Sequence, residues 1–193
     1  MSLIERLAHI GIVQFGQFAT ANGSFAPFRL DWRLLPSYPL LLADLSTELL
    51  PLVKQAGMSH LLPMPAVLPL GTALSLRAET PLVFVSPDDP EHIEGAYDYN
   101  VPTLLLTDNL TDGAAESALI RRVRRHGLHV EAVLAVLDWQ IGALLPEGVT
   151  LCAWQRLQAF MAAAAAVNGT SAIHTAAQAW IAEQRRAALT RED

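Results

Sequence analysis

Short apolar runs alternate with helical segments through the middle of the chain, and this alternation limits the possible folds more than any other feature. Continuous apolar strands joined by helices are typical of a parallel sheet with helices on both faces. We therefore expect an α/β fold that binds its ligands at the carboxyl ends of the strands. Strands are predicted at residues 60–64, 82–85, 104–106, 130–138 and 149–153, and helices at about 69–78 and 113–125.

The residues before this region predict a helix followed by a hairpin. Ser2 and Glu5 have the spacing of a capping box, which favours a short first helix. Strands are expected at 13–20 and 25–33, and the Asn22-Gly23 dipeptide between them is a strong hairpin signal. The chain therefore begins with a small helix-hairpin unit, which we call the hood and place at residues 1–36.

Two further helical regions flank the alternating segment. A long helix should begin near Pro36 and end at Gly57, and Pro51 should kink or end it. The alanine-rich residues 154–189 are also predicted to be helical, with a break at Asn168-Gly169. We predict one compact domain in three parts: the hood, an α/β core at 37–155 and a helical extension at 156–193.

The last helix carries an apolar stripe that needs cover from this domain or from a partner chain. Ser171 can cap this helix, and Ile173, Trp180 and Ile181 form the stripe. The hydrophobic content of 52% and the mean hydropathy of +0.30 are high for 193 residues. Since a small chain must keep most of its surface wet, we expect a homodimer.

Composition also limits partners and location. The net charge of −6 offers no footprint for the phosphate backbone of a nucleic acid, so no nucleic-acid partner is expected. No apolar run is long enough for a membrane span, and no signal peptide is recognised. The single Cys152 excludes an internal disulfide and favours a reducing, cytoplasmic setting, where it is expected to be a buried, inert thiol.

The segment 103–117 is the strongest candidate for a binding site. An apolar strand should end at Thr107 and Asp108, and a loop at 109–113 should lead into a helix. Backbone N–H groups and the helix dipole favour an anion at such a junction. Taken alone, the pattern also fits an ordinary strand-to-helix turn. The candidate phosphate- or ribose-binding residues are Asp108, Asn109, Leu110, Thr111, Asp112, Gly113, Ala114 and Ala115.

This segment resembles the phosphoribosyl-diphosphate signature of type I phosphoribosyltransferases, where a hydrophobic strand runs into two acidic residues and a T-T-G-G-type loop. The N-terminal residues resemble the F-G-x-F…S-G…S-P-Y-Y-x-D-x-R run of the orotate phosphoribosyltransferase branch. The resemblance covers about residues 3–155 and leaves the C-terminal extension outside it. The matching residues are Phe15-Gly16-Gln17-Phe18, Asn22-Gly23-Ser24, Pro27-Phe28 and Asp31-Trp32-Arg33.

The resemblance implies roles for several residues. It places a catalytic carboxylate at Asp108 and a base-binding site at Phe28, Asp138 and Trp139. His92 is the one residue of the loop at 86–95 that could act as a catalytic cation or acid. No protein-held metal site is expected, and Mg²⁺ would enter only with phosphoribosyl diphosphate. The family's dimers, in which a mobile loop serves the other chain's site, add a second reason to expect a homodimer.

The residues that would carry the chemistry depart from the family pattern. Ala21 stands for a lysine and Trp139 for an orotate-contacting arginine, while Asp112 stands for a neutral threonine. The catalytic loop is short and acidic at 86–95, and the pyrophosphate loop at 65–69 lacks glycines. Losing three or four charged hydrogen bonds removes about 5 to 10 kcal/mol of binding and transition-state stabilisation.

These departures predict a protein with an impaired or lost reaction. The first hypothesis is therefore a nucleotide- or phosphate-binding or assembly protein built on the orotate phosphoribosyltransferase scaffold. One alternative is an active phosphoribosyltransferase that transfers phosphoribosyl to orotate or another base and obtains its missing cations elsewhere. Another is a structural subunit without a ligand.

Overall fold

A four-stranded parallel sheet forms the centre of the computed structural model, which describes residues 1–19, 25–168 and 171–189. In chain order the elements are α1 (Leu3–His9), β1 (Val13–Ala19), β2 (Phe25–Leu30), α2 (Pro39–Ala56), β3 (His60–Pro63), α3 (Leu68–Ala78), β4 (Phe84–Val85), β5 (Ile93–Glu94), β6 (Val101–Leu110), α4 (Ala114–Arg125), β7 (Leu128–Asp138), β8 (Thr150–Arg156), α5 (Leu157–Asn168) and α6 (Ser171–Leu189). Two short 3-10 helices lie at Trp32–Ser37 and Pro65–Val67. The central sheet has the order β3-β6-β7-β8, which confirms the predicted α/β fold.

Alternation of side chains along β6 explains why both faces of the sheet are covered. Leu104 and Leu106 belong to the larger core cluster, whereas Leu105 belongs to a second cluster on the opposite face. Successive residues of a strand point to opposite faces, so an all-leucine run needs helices on both sides. The larger cluster is covered by α1, α2, α3, α5 and α6, and the second by α4.

The predicted strand at 82–85 joins the sheet only at its start. Leu82 forms a single parallel bridge with Leu61, and Val83 donates its N–H to the Leu61 carbonyl. The chain then leaves the sheet, and β4 pairs antiparallel with β5 in a separate two-stranded hairpin. The connection at 86–100 therefore contains a strand, β5, and β4 pairs with this strand and not with the central sheet.

The hood confirms the predicted first helix and corrects the strand that follows. Ser2 accepts the N–H of Glu5 while the Glu5 carboxylate accepts the N–H of Ser2, which completes the capping box. Strand β2 ends at Leu30 and does not reach residue 33, because the Asp31 carboxylate accepts the N–H of Arg33 and starts a 3-10 helix. The predicted hairpin turn at Asn22-Gly23 lies outside the described residues.

Helix α2 tolerates a proline in its interior. It runs through Pro51 to Ala56 and ends at Gly57, which has a left-handed φ of 65°. The prediction that Gly57 closes the helix is confirmed, whereas Pro51 does not end it. At α3, a methyl group on Gly71 would lie 2.7 Å from the Pro63 ring, so glycine is what allows this helix to lie so close to β3.

The C-terminal helices pack against the hood and the core of the same chain. Ala177 and Ile181 on α6 are 0% and 2% exposed and share one core cluster with Phe160 of α5 and Leu7 of α1. Ile181 is therefore covered by the same chain, which is one of the two alternatives that the sequence left open, and Trp180 is half-buried. The side chains of Ser171 and Ile173 and the residue Gly169 lie outside the described residues. No helix among the described residues is long and apolar enough to cross a membrane.

Candidate functional site

Three strands of the central sheet bring polar residues to one edge. Leu110 of β6 pairs with Asp138 of β7, which in turn pairs with Arg156 of β8. Asp108 lies two residues before Leu110 on the same strand. The carboxyl edge of a parallel sheet is where α/β proteins bind their ligands, so Asp108 and Asp138 share the predicted edge.

Asp108 lies inside a strand and not at its end. Strand β6 continues to Leu110 because Asn109 and Leu110 pair with Leu137 and Asp138. The expectation of a strand ending at Thr107 and Asp108, followed by a loop from 109, is therefore wrong by two residues. The Leu110 side chain is 0% exposed, so only its backbone faces the ligand edge.

A hydrogen-bonded chain connects Asp108 to the hood. The Asn109 side-chain amide donates to the Asp108 carboxylate at 2.9 Å, and the Trp32 indole N–H donates to the side-chain oxygen of Asn109 at 3.4 Å. Trp32 is only 3% exposed. The half-exposed Asp108 keeps acceptor capacity for a hydroxyl donor, but the hood fixes the orientation of its neighbour.

The candidate phosphate loop, Thr111–Gly113, is covered by the connection between β7 and β8. Gly113 has a left-handed φ of 76°, and a methyl group there would lie 3.0 Å from the Leu144 carbonyl oxygen. The Leu144 N–H donates to the Asp112 carbonyl at 2.9 Å, and the Ser117 hydroxyl donates to the Leu144 carbonyl at 2.7 Å.

The Asp112 carboxylate also uses one donor of this loop. It accepts the N–H of Ala114 at 3.1 Å. Ala114 and Ala115 open α4 and are exposed, but the first of their amides is already bonded. An anion at this loop would therefore be repelled by the Asp112 carboxylate, and the N–H of Ala114 would not be free to bind it.

A buried acid next to the loop was missed by sequence reasoning. Glu116 is 3% exposed, and the hydroxyl of Thr107, itself 1% exposed, donates to its carboxylate at 2.7 Å. An acid in the first turn of a helix ordinarily complements the dipole in solvent, so nothing in the sequence distinguishes Glu116 from such a residue.

The predicted base site is an aromatic cluster. The rings of Phe28 and Trp139 lie 5.7 Å apart, and Trp180 of α6 packs on both at 5.6 and 5.9 Å. One oxygen of the neighbouring Asp138 carboxylate, Oδ1, accepts the N–H of Gln140 at 2.8 Å. Sequence reasoning predicted Phe28 and Trp139 but gave Trp180 only as part of an apolar stripe.

The loop at the pyrophosphate position offers few backbone donors. Pro65 and Pro69 have no N–H, and the N–H groups of Val67 and Leu68 are bonded to carbonyls within the loop. At most the amide of Ala66 remains. Between this loop and the hood there is a cavity of only about 10 Å³, lined by Trp32, Leu35, Pro36, Leu42, Ala66, Val67, Pro69 and Leu70.

The acidic loop that contains His92 is anchored far from Asp112. Glu91 lies 3.5 Å from Arg122, 3.4 Å from Arg125 and 3.6 Å from His126, all at the carboxyl end of α4. Since α4 has 12 residues and Asp112 precedes its start, the two ends lie about 18 Å apart. Within one chain, the structure does not bring His92 and Asp108 together.

The described residues do not fit a protein-held magnesium ion. Among them, no group of three or more His, Cys, Asp or Glu side chains is close enough to hold a metal. Asp108 is the one carboxylate at the candidate ribose position, and one of its oxygens already accepts from Asn109. Any Mg²⁺ would depend on oxygens supplied by a bound ligand.

Two side chains have pKa values that the fold displaces. The Arg33 guanidinium, through two hydrogen bonds, holds the pKa of the Asp31 carboxyl below its usual value. Burial raises the pKa of the Cys152 thiol, which is only partly exposed on β8. A raised pKa keeps the thiol protonated, in agreement with the expected inert cysteine.

Comparisons with known proteins point to one family. No protein-family model matches the chain. Orotate phosphoribosyltransferase of Chlamydia pneumoniae is 29% identical over 150 residues, which cover 74% of this chain and 71% of that protein. The crystal structure of orotate phosphoribosyltransferase from Aeropyrum pernix superposes with a TM-score of 0.71 at 25% identity, over 83% of this chain and 98% of that one.

A third similarity extends the comparison to the C-terminal helices. The UMP synthase of Leishmania donovani superposes with a TM-score of 0.86 at 23% identity, over 94% of this chain and 42% of that one. Because the residues that precede α6 make up less than the 94% of the chain that superposes, the fold similarity extends into α6. The expectation that the extension lies outside the resemblance is therefore wrong at the level of fold.

Proposed function

The chain belongs to the type I phosphoribosyltransferase family, with relatives named orotate phosphoribosyltransferase, and we propose that it keeps this scaffold without the transfer reaction. In this proposal it is a nucleotide- or phosphate-binding, or an assembly, protein of pyrimidine metabolism, and it acts as a homodimer. Phosphoribosyl transfer needs donors that stabilise a departing pyrophosphate, and this requirement separates a binding protein from an enzyme.

The observation that carries the proposal is the shortage of donors at residues 65–69. A pyrophosphate carries several anionic oxygens, each of which loses solvent when it is bound. With two prolines and two internally bonded amides, this loop has at most the N–H of Ala66 to offer. The loop also packs closely on Trp32 and Leu35, around a cavity of only about 10 Å³.

The other parts of the site support the same conclusion. Trp180 packs on the two aromatic residues of the predicted base site, and Asp112 brings a negative charge to the predicted phosphate loop. In the acidic loop, His92 is the only candidate for a general acid in catalysis. The Glu91 ion pairs hold this loop at the carboxyl end of α4. The proposed roles left for Asp108 and Thr111 are contacts with a hydroxyl and a weakly held phosphate.

An active transferase is the second candidate, and Arg156 favours it. This residue ends β8 beside Asp138, and both line an open cavity of about 420 Å³ at the ligand edge. The Arg156 guanidinium could replace one of the cationic side chains that the resemblance expects and this sequence lacks. Under this alternative the remaining cations come from the second chain of a dimer.

A turnover assay separates the candidates. We expect no release of pyrophosphate from phosphoribosyl diphosphate, Mg²⁺ and orotate at a rate near the roughly 1 s⁻¹ at which typical enzyme turnover begins. Calorimetric titration with phosphate, orotate and uridine monophosphate should instead show binding without turnover. Robust turnover that Asp108→Ala abolishes, and that the exposed-site control Asp98→Ala leaves intact, would establish the active enzyme. No binding of any probe would favour the structural subunit.

A further inference from the structure

Three aromatic rings from distant parts of the chain meet at the predicted base site. Phe28 comes from β2, Trp139 follows β7 and Trp180 lies in the middle of α6. Trp180 is perpendicular to Phe28, at 87°, and inclined at 76° to Trp139. Edge-to-face packing of this kind is the geometry in which aromatic rings attract each other most readily.

The cluster lies at the ligand edge of the sheet. The backbone N–H of Trp139 donates to the Leu110 carbonyl at 3.0 Å, which ties the indole to the end of β6. Leu110 directly precedes the candidate phosphate loop. Trp180 packs on the Trp139 indole, so the aromatic cluster lies at the carboxyl ends of β6 and β7, on the side of the sheet where the base of a bound nucleotide would be expected.

Arg185 links helix α6 to this edge through hydrogen bonds to uncharged acceptors. Arg185 donates to the Trp139 carbonyl at 3.3 Å, the Gln140 amide oxygen at 3.2 Å and the Gln158 amide oxygen at 3.3 Å. These are long hydrogen bonds, and none of the three is to a carboxylate. The side of α6 that carries Trp180 is therefore attached less firmly than its buried residues Ala177 and Ile181.

The cluster also contains an unused donor. The Trp139 indole N–H is buried and has no acceptor among the described residues. Buried donors of this type normally find a partner, and an unsatisfied one favours a ligand that brings an acceptor. A ring with carbonyl or carboxylate oxygens on its edge has such an acceptor, whereas the Trp180 indole has none because it is a donor only.

We propose that Trp180 is a built-in occupant of the base site, and that a planar heteroaromatic ligand with acceptor oxygens replaces it and pairs with the Trp139 N–H. This inference rests on the proposed function, since the family defines which edge receives the base. An indole is larger than a pyrimidine ring, so its departure leaves enough space. The side chain moves while Ala177 and Ile181 keep α6 in place.

Binding of orotate and uracil to full-length variants tests this inference. Trp180→Ala is expected to bind at least one of them about tenfold more tightly than the wild type, by calorimetry or ligand-observed NMR. Tyr99→Ala is the control, because it removes an aromatic ring that is 83% exposed and precedes β6, at the opposite end of this strand. Adding Trp139→Phe, which keeps a ring but removes the N–H, should cancel part of the gain.

Several outcomes would overturn the inference without touching the proposed function. Equal affinity of wild type and Trp180→Ala would mean that the indole does not compete with the base. Trp180→Leu, which keeps apolar packing, replaces Trp180→Ala if that variant fails to fold, and it should show the same gain. Absence of binding by every variant at millimolar probe also overturns it. Phosphoribosyl transfer by the wild type would instead refute the proposed function and leave the competition measurable.

Discussion

The Asp112 carboxylate accepts the backbone N–H of Ala114 at 3.1 Å, at the point where α4 begins. The first amides of a helix are the donors that bind anions, and the helix dipole strengthens their attraction for negative charge. In this chain a side chain of the loop already fills one of those positions. The loop therefore has the shape of an anion-binding loop, but the Asp112 carboxylate takes the place of a bound anion at one amide.

Asp112→Thr should raise the affinity for inorganic phosphate or uridine monophosphate. Removing a charge about 4 Å from a phosphate changes binding by about 1 to 4 kcal/mol, and the exposure of Asp112 favours the low end, or about fivefold. Calorimetric titration measures the change. Asp98→Thr makes the same charge change at another exposed site and should have little effect. Unchanged binding in both variants would indicate that the Leu144 cover, and not the charge, closes the loop.

Thr107→Val should destabilise the protein by about 1.5 to 3 kcal/mol, because it leaves the buried Glu116 carboxylate without its hydroxyl donor. Thr103→Val is the matched control on the same strand. The Thr103 hydroxyl is also buried but donates to the Val101 carbonyl, so its loss should cost about 1 kcal/mol or less. Urea unfolding compares the two, and equal losses would contradict the special contribution of the carboxylate.

Arg33→Gln should reduce stability at neutral pH but not in acid. The pKa of Asp31 is lowered by Arg33, so the pair stabilises the fold above the unfolded pKa of about 3.9. That contribution is lost as the pH falls through the lowered folded pKa. Thermal unfolding should show a constant deficit from pH 7 to about 5 that shrinks below about pH 4. Arg77→Gln, at an exposed site on α3, should show no such dependence, and a deficit that persists in acid would refute the linkage.

Light scattering should give twice the 20.9 kDa chain mass at micromolar concentration. The structure leaves Leu40 79% exposed at the start of α2, beside the hood where the resemblance implies a two-fold interface. Leu40→Glu should therefore weaken the dimer, whereas Leu76→Glu, at a site 77% exposed on α3, should not. A monomeric wild type would refute the dimer. Such a result would agree with α6, whose residues Ala177 and Ile181 are already buried within one chain.

The sheet and its helices could be predicted because their signals are local and periodic. The leucines at 104–106 require cover on both faces, and Gly57 marks the end of a helix by its left-handed conformation. The strand end at residue 110 could not be predicted. The sequence Asn109–Gly113 has the composition of a turn, but pairing of Leu110 with Asp138 overrides that preference.

Only part of the aromatic cluster at the predicted base site could be predicted from the sequence. Phe28 and Trp139 were found through the resemblance, and the structure brings them together. Trp180 follows Trp139 by 41 positions in sequence, and no local pattern indicates that a helix from an extension reaches the base site. The Glu91 ion pairs are also long-range, so no local pattern could predict that the acidic loop at 86–95 is linked to the end of α4.

The contact between Gly71 and Pro63 has a consequence for recognising similar proteins. Any side chain larger than hydrogen at position 71 must hold α3 further from β3, because a methyl group would meet the proline ring at 2.7 Å. The turn at Pro65–Val67 joins these two elements, so the closed crevice under Trp32 depends on a position that does not line it. A similar chain with a bulkier residue at that place should therefore have a wider crevice under the tryptophan.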